Sequence, residues 1–150
     1  MFNKDDIIYL GIDLDETLIS NNPKNRQGFY TWKIKKNIPS YLRLLYINKF
    51  RFNLITARCA SQIDEVEKIV RIIEKESKVR FESITCTGGR PKCIFAEELD
   101  CKYMIDDYDY YLSDYNKYNV IPILLEEDVK IYSESFNNWK EIVNYLLDKN

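Results

Sequence analysis

The sequence predicts an α/β fold, in which a parallel sheet of about five strands is covered by helices on both faces. Short apolar runs alternate with helix-like segments along the chain, which is the pattern of repeated strand–helix–strand units. The first run, residues 7–13, is continuously apolar up to its aspartate, as is typical of a strand buried on both faces. A chain of 150 residues that is 45% hydrophobic can bury one substantial core. We therefore expect residues 1–150 to form a single domain with right-handed crossovers.

The predicted strands are residues 7–13, 51–56, 81–86, 102–106 and 120–125. The predicted helices are residues 37–49, 61–78, a segment entered through the turn 88–92, a Tyr-rich segment 108–118, and a closing segment striped by Trp139, Ile142, Val143 and Leu146. Pro39 suits a first helical turn, and Ser61 and Asp64 have the spacing of a capping box. The tyrosines of the fourth helix, Tyr108, Tyr110, Tyr111, Tyr115 and Tyr118, are expected to pack that helix.

Residues 20–36 interrupt the strand–helix alternation. The segment is polar, contains an Asn-Pro pair and Gly28, and then alternates in hydrophobicity, which predicts a small β-hairpin flap between the first strand and the first helix. No stretch is long enough to form a cap domain. If the flap overhangs the site, its aromatic residues Phe29, Tyr30 and Trp32 are candidates for stacking on a substrate.

Composition excludes several classes of protein. The 22 basic and 24 acidic residues are interspersed, so no broad nucleic-acid-binding surface is expected. No apolar run approaches the roughly 18 residues of a membrane span, and the N-terminal segment does not resemble a secretory signal, which favours a cytoplasmic protein. The chain has no histidine, which excludes Ser-His-Asp and Cys-His catalysis. Cys59, Cys86, Cys93 and Cys101 are expected to be reduced, small core residues.

Acidic residues stand where predicted strands end. Asp13 and Asp15 follow the first strand, and Asp106 and Asp107 follow the fourth. The carboxyl ends of parallel strands share one edge of the sheet, where α/β proteins bind ligands. Four carboxylates close together require a cation, and oxygen ligands favour a hard ion, so we expect Mg²⁺.

The same edge should carry a hydroxyl and a cation. Thr56 ends the second strand and Lys92 opens the helix before the fourth. A cation in a first helical turn opposes the helix dipole at a cost of about 0.3–1 kcal/mol, which a bound phosphate would offset. Arg90 is the competing candidate for this role. One aspartate of the first pair could attack phosphorus while the other protonates the leaving oxygen, and Thr56 and Lys92 could hold the phosphate oxygens.

The residues "DLDET" (13–17), "LITAR" (54–58), Lys92 in "GGRPKCIF" and "MIDDY" (104–108), in this order, resemble the motifs of the haloacid dehalogenase-like (HAD) hydrolases. The resemblance spans about residues 7–125. It implies the parallel α/β fold inferred above, without a cap domain, and phosphate chemistry that depends on Mg²⁺.

The resemblance also implies roles for individual residues. Asp13 is the implied nucleophile that becomes phosphoaspartate, and Asp15 the implied general acid/base. The implied metal ligands are Asp13, Asp107 and the backbone carbonyl of Asp15. Asp106 would orient Lys92 or a metal-bound water. The implied phosphate-binding residues are Thr56, Ala57 and Lys92, with Arg58 supporting the site from its rim.

The substrate is open at this level. We expect a phosphomonoesterase acting on a nucleotide or on a phosphorylated nucleic-acid end, because "TAR" is typical of the nucleotidase-like branch. The alternative is a protein phosphatase, since "DLDETL" with Glu16 in place of the common Gly occurs in that group. A receiver-like, non-enzymatic domain also holds phosphoaspartate, but it carries its motifs in the reverse order. The sequence does not predict an oligomeric state.

Overall fold

The computed structural model describes residues 3–22, 31–127 and 135–150. Its strands are β1 Ile8–Ile12, β2 Ile19–Asn22, β3 Thr31–Ile34, β4 Phe50–Thr56, β5 Phe81–Cys86, β6 Cys101–Asp106 and β7 Ile121–Leu124. Five of them form one parallel sheet in the order β5-β4-β1-β6-β7. The predicted five-stranded parallel sheet is confirmed, and its central strand β1 lies between β4 and β6.

Close packing around β1 positions the end of that strand. A Cβ atom built on Gly11 would lie 2.6 Å from Sδ of Met104 on β6, so a larger residue here would force the Met104 side chain to move. The backbone N–H of Asp13 donates to the carbonyl of Ile105 at 2.9 Å, which continues the pairing of β1 with β6 one residue beyond the strand. The first acidic residue of the chain's "DLDET" segment is therefore fixed by the sheet itself.

Helices cover both faces of the sheet, as predicted. They are α1 Ile38–Ile47, α2 Ile63–Ser77, α3 Lys92–Glu98 and α4 Trp139–Lys149. The larger core lies between the sheet and α1, α2 and α4, and the smaller core contains α3 and the 3₁₀ helix Leu112–Lys117. The helices found in the described ranges are all too short or too polar to span a bilayer.

The predicted hairpin flap is confirmed as an antiparallel pair of β2 and β3. Ile19 pairs with Ile34, and Asn21 pairs with Trp32, so these four side chains share one face of the hairpin. Ile19 is fully buried, and Trp32 is half-buried against the larger core. Trp32 therefore has a packing role, while Phe29 and Tyr30 lie outside the described residues. Within the described ranges, no helical insertion separates the strands from the helices that follow them.

Two local predictions are wrong. Residues 108–118 do not form a packed α-helix: a 3₁₀ helix spans only Leu112–Lys117, and Tyr108 and Tyr110 are exposed. The Asp109 carboxylate accepts from the N–H of Tyr111 and so competes with helical hydrogen bonding.

The predicted Ser61–Asp64 capping box is also absent. Instead, the 3₁₀ turn Ala60–Gln62 precedes α2, and the side chain of Gln62 accepts from the N–H of Cys59 at 3.0 Å. The chain turns into the helix before Ser61, so that residue cannot act as its N-cap.

Candidate active site

Asp13 lies buried at the carboxyl end of β1, with 4% of its surface exposed. Its Oδ1 accepts from Nζ of Lys92 at 3.0 Å, and its Oδ2 accepts from Oγ1 of Thr17 at 3.1 Å. Thr17 in turn accepts from the backbone N–H of Asp107 at 3.1 Å. The hydroxyl of Thr17 therefore ties the loop after β1 to the loop after β6 and fixes the orientation of the Asp13 carboxylate.

Lys92 is the cation that contacts Asp13. It is buried in the first turn of α3, and its Nζ also donates to Oδ2 of Asp106 at 2.8 Å. Burial disfavours the charged ammonium, but Asp13 and Asp106 outweigh this effect and raise the pKa of Lys92. Arg90, the competing candidate, is exposed and donates to the carbonyl of Thr87. The geometry therefore places Lys92, rather than Arg90, among the carboxylates.

Asp13, Asp106 and Asp107 can each place a carboxylate oxygen within 4.8 Å of the other two. Burial, followed by repulsion from Asp13, raises the pKa of Asp107 to about 6. The same two causes raise the pKa of Asp106, although Lys92 opposes them. One ammonium does not compensate three carboxylates, and an all-oxygen donor set suits a hard divalent ion. These residues fit Mg²⁺, as expected from the sequence.

Asp15 is outside this group of three carboxylates and is bound by Arg58 and Asn21, which we call its clamp. Nε and Nη2 of Arg58 donate to its two oxygens at 2.9 and 2.7 Å, and Nδ2 of Asn21 donates to Oδ1 at 2.8 Å. Burial works against the charged carboxylate, but the bonds from Arg58 and Asn21 prevail and lower the pKa of Asp15. In this arrangement Asp15 is ionised and paired with Arg58, so it must leave the clamp before it can carry a proton.

Glu16 occupies a backbone conformation that favours glycine, with φ of 61°. Three contacts hold it there: its N–H donates to the carbonyl of Ile19, its Oε1 accepts from the N–H of Asn21, and its carbonyl accepts from Nζ of Lys35 at 2.7 Å. This explains how the chain tolerates Glu where the resembling family commonly has Gly.

Thr56 and Ala57 stand where β4 ends. Thr56 is fully buried, and its Oγ1 accepts from the N–H of Arg58 at 3.3 Å. Ala57 is exposed in the bend that follows. Thr56 thus shapes the turn that carries Arg58, and a phosphate-binding role for Thr56 and Ala57 stays a prediction. Cys93 and Cys101 are buried as expected, whereas Cys59 is exposed and Cys86 is half-buried.

Sequence reasoning missed two supporting residues. Asn21 reaches Asp15 only because the hairpin folds back over the "DLDET" loop. Nε1 of Trp139 donates to the carbonyl of Thr17 at 2.8 Å, so the first residue of α4 also holds that loop. The sequence pattern predicts Trp139 only as a core residue. Neither contact has a signal in local sequence: Asn21 reaches Asp15 across the turn that leads into β2, and Trp139 lies 122 positions from Thr17.

Solved structures of phosphatases resemble this chain over nearly its whole length. D,D-heptose 1,7-bisphosphate phosphatase from B. bronchiseptica, complexed with magnesium and phosphate, gives a TM-score of 0.67 at 11% identity, covering 96% of this chain and 100% of that one. A HAD-superfamily hydrolase from Ehrlichia chaffeensis gives 0.65 at 12% identity, covering 93% and 95%. The chain has the HAD hydrolase fold.

A third solved structure also resembles this chain. 3-Deoxy-D-manno-octulosonate 8-phosphate phosphatase from Moraxella catarrhalis, in complex with a magnesium ion, a phosphate ion and KDO, gives a TM-score of 0.57 at 17% identity, covering 95% of this chain and 86% of that one. No protein-family model and no curated protein sequence matches this chain. The likeness is therefore one of fold.

Proposed function

We propose that this protein is a Mg²⁺-dependent phosphomonoesterase that acts through a phosphoaspartate on Asp13. The observation that carries the proposal is the buried contact of Lys92 with both Asp13 and Asp106, beside Asp107. A buried lysine shared by two carboxylates orients one of them for attack and supplies charge for the incoming phosphate. Phosphatases of the same fold that were solved with magnesium and phosphate support this function.

Asp13 is positioned as the nucleophile. Its carboxylate is held by Thr17 and Lys92, so its orientation is set before substrate arrives. An Asp13 oxygen attacks phosphorus, an acyl phosphate bond forms, and the ester P–O bond breaks. When bound by Asp13, Asp107 and the carbonyl of Asp15, Mg²⁺ supplies positive charge that offsets the repulsion between carboxylate and phosphate.

Asp15 is the proton carrier in this proposal. Once Arg58 releases it, the Asp15 carboxylate takes up a proton from solvent and passes it to the leaving oxygen. The resulting carboxylate then removes a proton from the water that cleaves the acyl phosphate. An arriving phosphate competes for the guanidinium of Arg58, which releases Asp15 from its clamp. The clamp thereby couples substrate binding to the availability of the acid.

We further propose that the substrate is a nucleotide or a phosphorylated nucleic-acid end, as the "TAR" segment suggests. The alternative, a protein phosphatase, would use the same chemistry, so only the substrate distinguishes the two proposals. A panel of nucleoside monophosphates, phosphorylated oligonucleotides, sugar phosphates and phosphopeptides, assayed for released phosphate, tests this choice. Preferential hydrolysis of phosphopeptides would contradict the nucleotide proposal.

A matched pair of variants tests the mechanism. Asp13→Asn should form no phosphoenzyme and show no turnover. Asp15→Asn, given an activated ester whose leaving group needs no proton, should accumulate a hydroxylamine-labile acyl phosphate on Asp13, because its hydrolysis lacks the base. Asp64→Asn, at an exposed position of α2, is the control and should behave as the unmodified chain.

Several results would overturn the mechanism. Turnover by Asp13→Asn, or phosphate trapped on another residue in Asp15→Asn, would show that the roles are assigned wrongly. Turnover that persists undiminished in EDTA would exclude Mg²⁺ dependence. A phosphoprotein that forms on the unmodified chain and never turns over would favour the receiver-like alternative.

A further inference from the structure

Two aromatic side chains stand exposed beside the carboxylate cluster. Tyr108 follows Asp107 directly and is 64% exposed, and Tyr110 is 80% exposed. These are the highest exposures among the large hydrophobic side chains in the described ranges. We call the pair Tyr108 and Tyr110 the aromatic shelf. Sequence patterning predicted that both would pack a helix, so their exposure requires another explanation.

The loop that presents the shelf is pinned on both sides. The N–H of Tyr108 donates to Oδ1 of Asp106 at 3.3 Å, which ties the shelf to the cluster. Asp109 accepts from the N–H of Tyr111 at 2.8 Å and from the hydroxyl of Tyr115 at 2.7 Å. Tyr115 is buried in the smaller core, where burial and then Asp109 raise the pKa of its hydroxyl and keep it a donor. The loop therefore holds its exposed rings out on an anchored backbone.

The rings within this loop also have a defined relation to each other. Tyr110 and Tyr111 meet edge to face, with centroids 5.6 Å apart and planes at 69°. Tyr111 is half-buried, so Tyr110 packs against a partly buried ring while most of its own surface stays exposed. Preorganised rings lose little entropy when a flat group stacks on them.

We propose that the aromatic shelf binds the nucleobase of a nucleotide substrate whose phosphate lies at Asp13; this inference rests on the proposed function. Tyr110 is three residues beyond Asp107, so the chain between them spans at most about 11 Å. That distance keeps the shelf within the length of a nucleotide whose phosphate lies at the cluster. The shelf is therefore placed to contact the leaving group of the substrate itself, rather than a separate partner.

The chemistry of the shelf favours a base over other leaving groups. The flanking carboxylates of Asp107 and Asp109 and the surrounding solvent disfavour a lipid chain, which needs a dry apolar groove. A nucleobase has apolar faces and polar edges, as a tyrosine ring does, and base–aromatic stacking tolerates any base. The shelf therefore selects for a base without specifying which one.

The test compares a nucleoside 5′-monophosphate with ribose 5-phosphate, which carries the same phosphate and sugar without the base. The unmodified chain should show the higher kcat/KM for the nucleotide. Tyr110→Ala should lower the ratio of the two kcat/KM values roughly fivefold to tenfold, the lower part of the range for stacking, because the ring is largely exposed to solvent. Tyr110→Phe should keep the ratio, and Tyr108→Ala should lower it.

Ile72→Ala is the matched control, since Ile72 is another exposed hydrophobic side chain, 43% exposed on α2. It should not change the ratio. The inference would be overturned if Tyr110→Ala lowered kcat/KM equally for both substrates. It would also be overturned if neither Tyr110→Ala nor Tyr108→Ala changed the ratio. A selective loss on a phosphotyrosine peptide, with the nucleotide unaffected, would assign the shelf to a protein substrate and would also overturn it.

A binding measurement separates this inference from the proposed function. In the Asp13→Asn background with Mg²⁺, calorimetry should show tighter binding of the nucleoside monophosphate than of ribose 5-phosphate, and Tyr110→Ala should remove the difference. If that difference is present but the unmodified chain hydrolyses no ester, the proposed function fails and the shelf assignment stands. If the chain hydrolyses both esters but neither turnover nor binding responds to the shelf, only the shelf assignment fails.

Discussion

Replacing Lys92 by Met removes the ammonium that lies between Asp13 and Asp106 while keeping most of the apolar side chain. Lys92 is 8% exposed, and its two bonds are 3.0 and 2.8 Å long. Removing one partner from a buried ion pair costs about 3–5 kcal/mol, because the remaining charge is left without compensation. In this site two carboxylates, of Asp13 and Asp106, would be left facing each other. The loss is a large part of the roughly 5–15 kcal/mol that stabilises a typical domain.

Thermal unfolding followed by circular dichroism at pH 7 measures the effect. For a chain of this size, 1 kcal/mol corresponds to about 2–4 °C, so Tm of Lys92→Met should fall by roughly 6–20 °C in EDTA. Excess Mg²⁺ should restore part of the loss, because the ion would neutralise the same carboxylates and stabilises the folded state by mass action. Phosphatase turnover should be lost under both conditions.

Lys75→Met is the control for this experiment. Lys75 is exposed in the last turn of α2, so its replacement should change the free energy of unfolding by no more than about 0.5 kcal/mol. A fall of less than about 2 °C in Tm for Lys92→Met in EDTA would refute the reasoning, because it would put the cost below about 1 kcal/mol. A fall of the same size with and without Mg²⁺ would show that the ion does not bind these carboxylates.

Two further predictions concern the same loop and cluster. Glu16→Ala and Glu16→Gly both remove the side-chain bond to Asn21 and both keep the positive φ, but only Ala is strained by that φ. Urea unfolding should therefore find Glu16→Gly more stable than Glu16→Ala by about 1 kcal/mol. Equal stabilities would contradict the strain. The pKa of Asp107 is raised from its ordinary value of 3.8 to about 6, so the folded chain binds this proton more tightly than the unfolded chain does. The metal-free chain should therefore gain stability as pH falls from 7 to 5. That gain is lost as pH rises through 6. Over the same fall Mg²⁺ affinity should weaken, since protons compete for the ligand; a calorimetric affinity that is flat from pH 7 to 5 would contradict this.

The fold could be predicted because the three central strands of its sheet, β4, β1 and β6, are largely buried on both faces. Such strands are short apolar runs whatever their neighbours are. In β1, the site residue Asp13 follows directly after the last apolar residue of the strand. The order of the acidic, hydroxyl and basic residues along the chain then allowed the site to be placed at one edge of the sheet. Asp13, Lys92 and Asp106 do meet there, since parallel strands bring their carboxyl ends together.

What could not be predicted depends on side chains that compete with local backbone patterns. Residues 108–118 have the composition of a packed helix, yet Asp109 captures the N–H of Tyr111 and the hydroxyl of Tyr115 and keeps the first part of the segment out of a helix. The clamp on Asp15 was hidden for a different reason. It needs Asn21 and Arg58, from the flap and from the end of β4, and their approach depends on the register of the hairpin.

The bond from Trp139 to the carbonyl of Thr17 has a consequence for the timing of folding. The two residues are separated by 122 positions, so their contact closes one of the longest loops that the chain can form. At a synthesis rate of about 5–20 residues per second, roughly 6–24 s pass between the making of Thr17 and the making of Trp139. Until α4 docks, a nascent chain carries Asp13 on a loop that lacks this fastening. The docking of α4 therefore sets the earliest moment at which the complete site can assemble during translation.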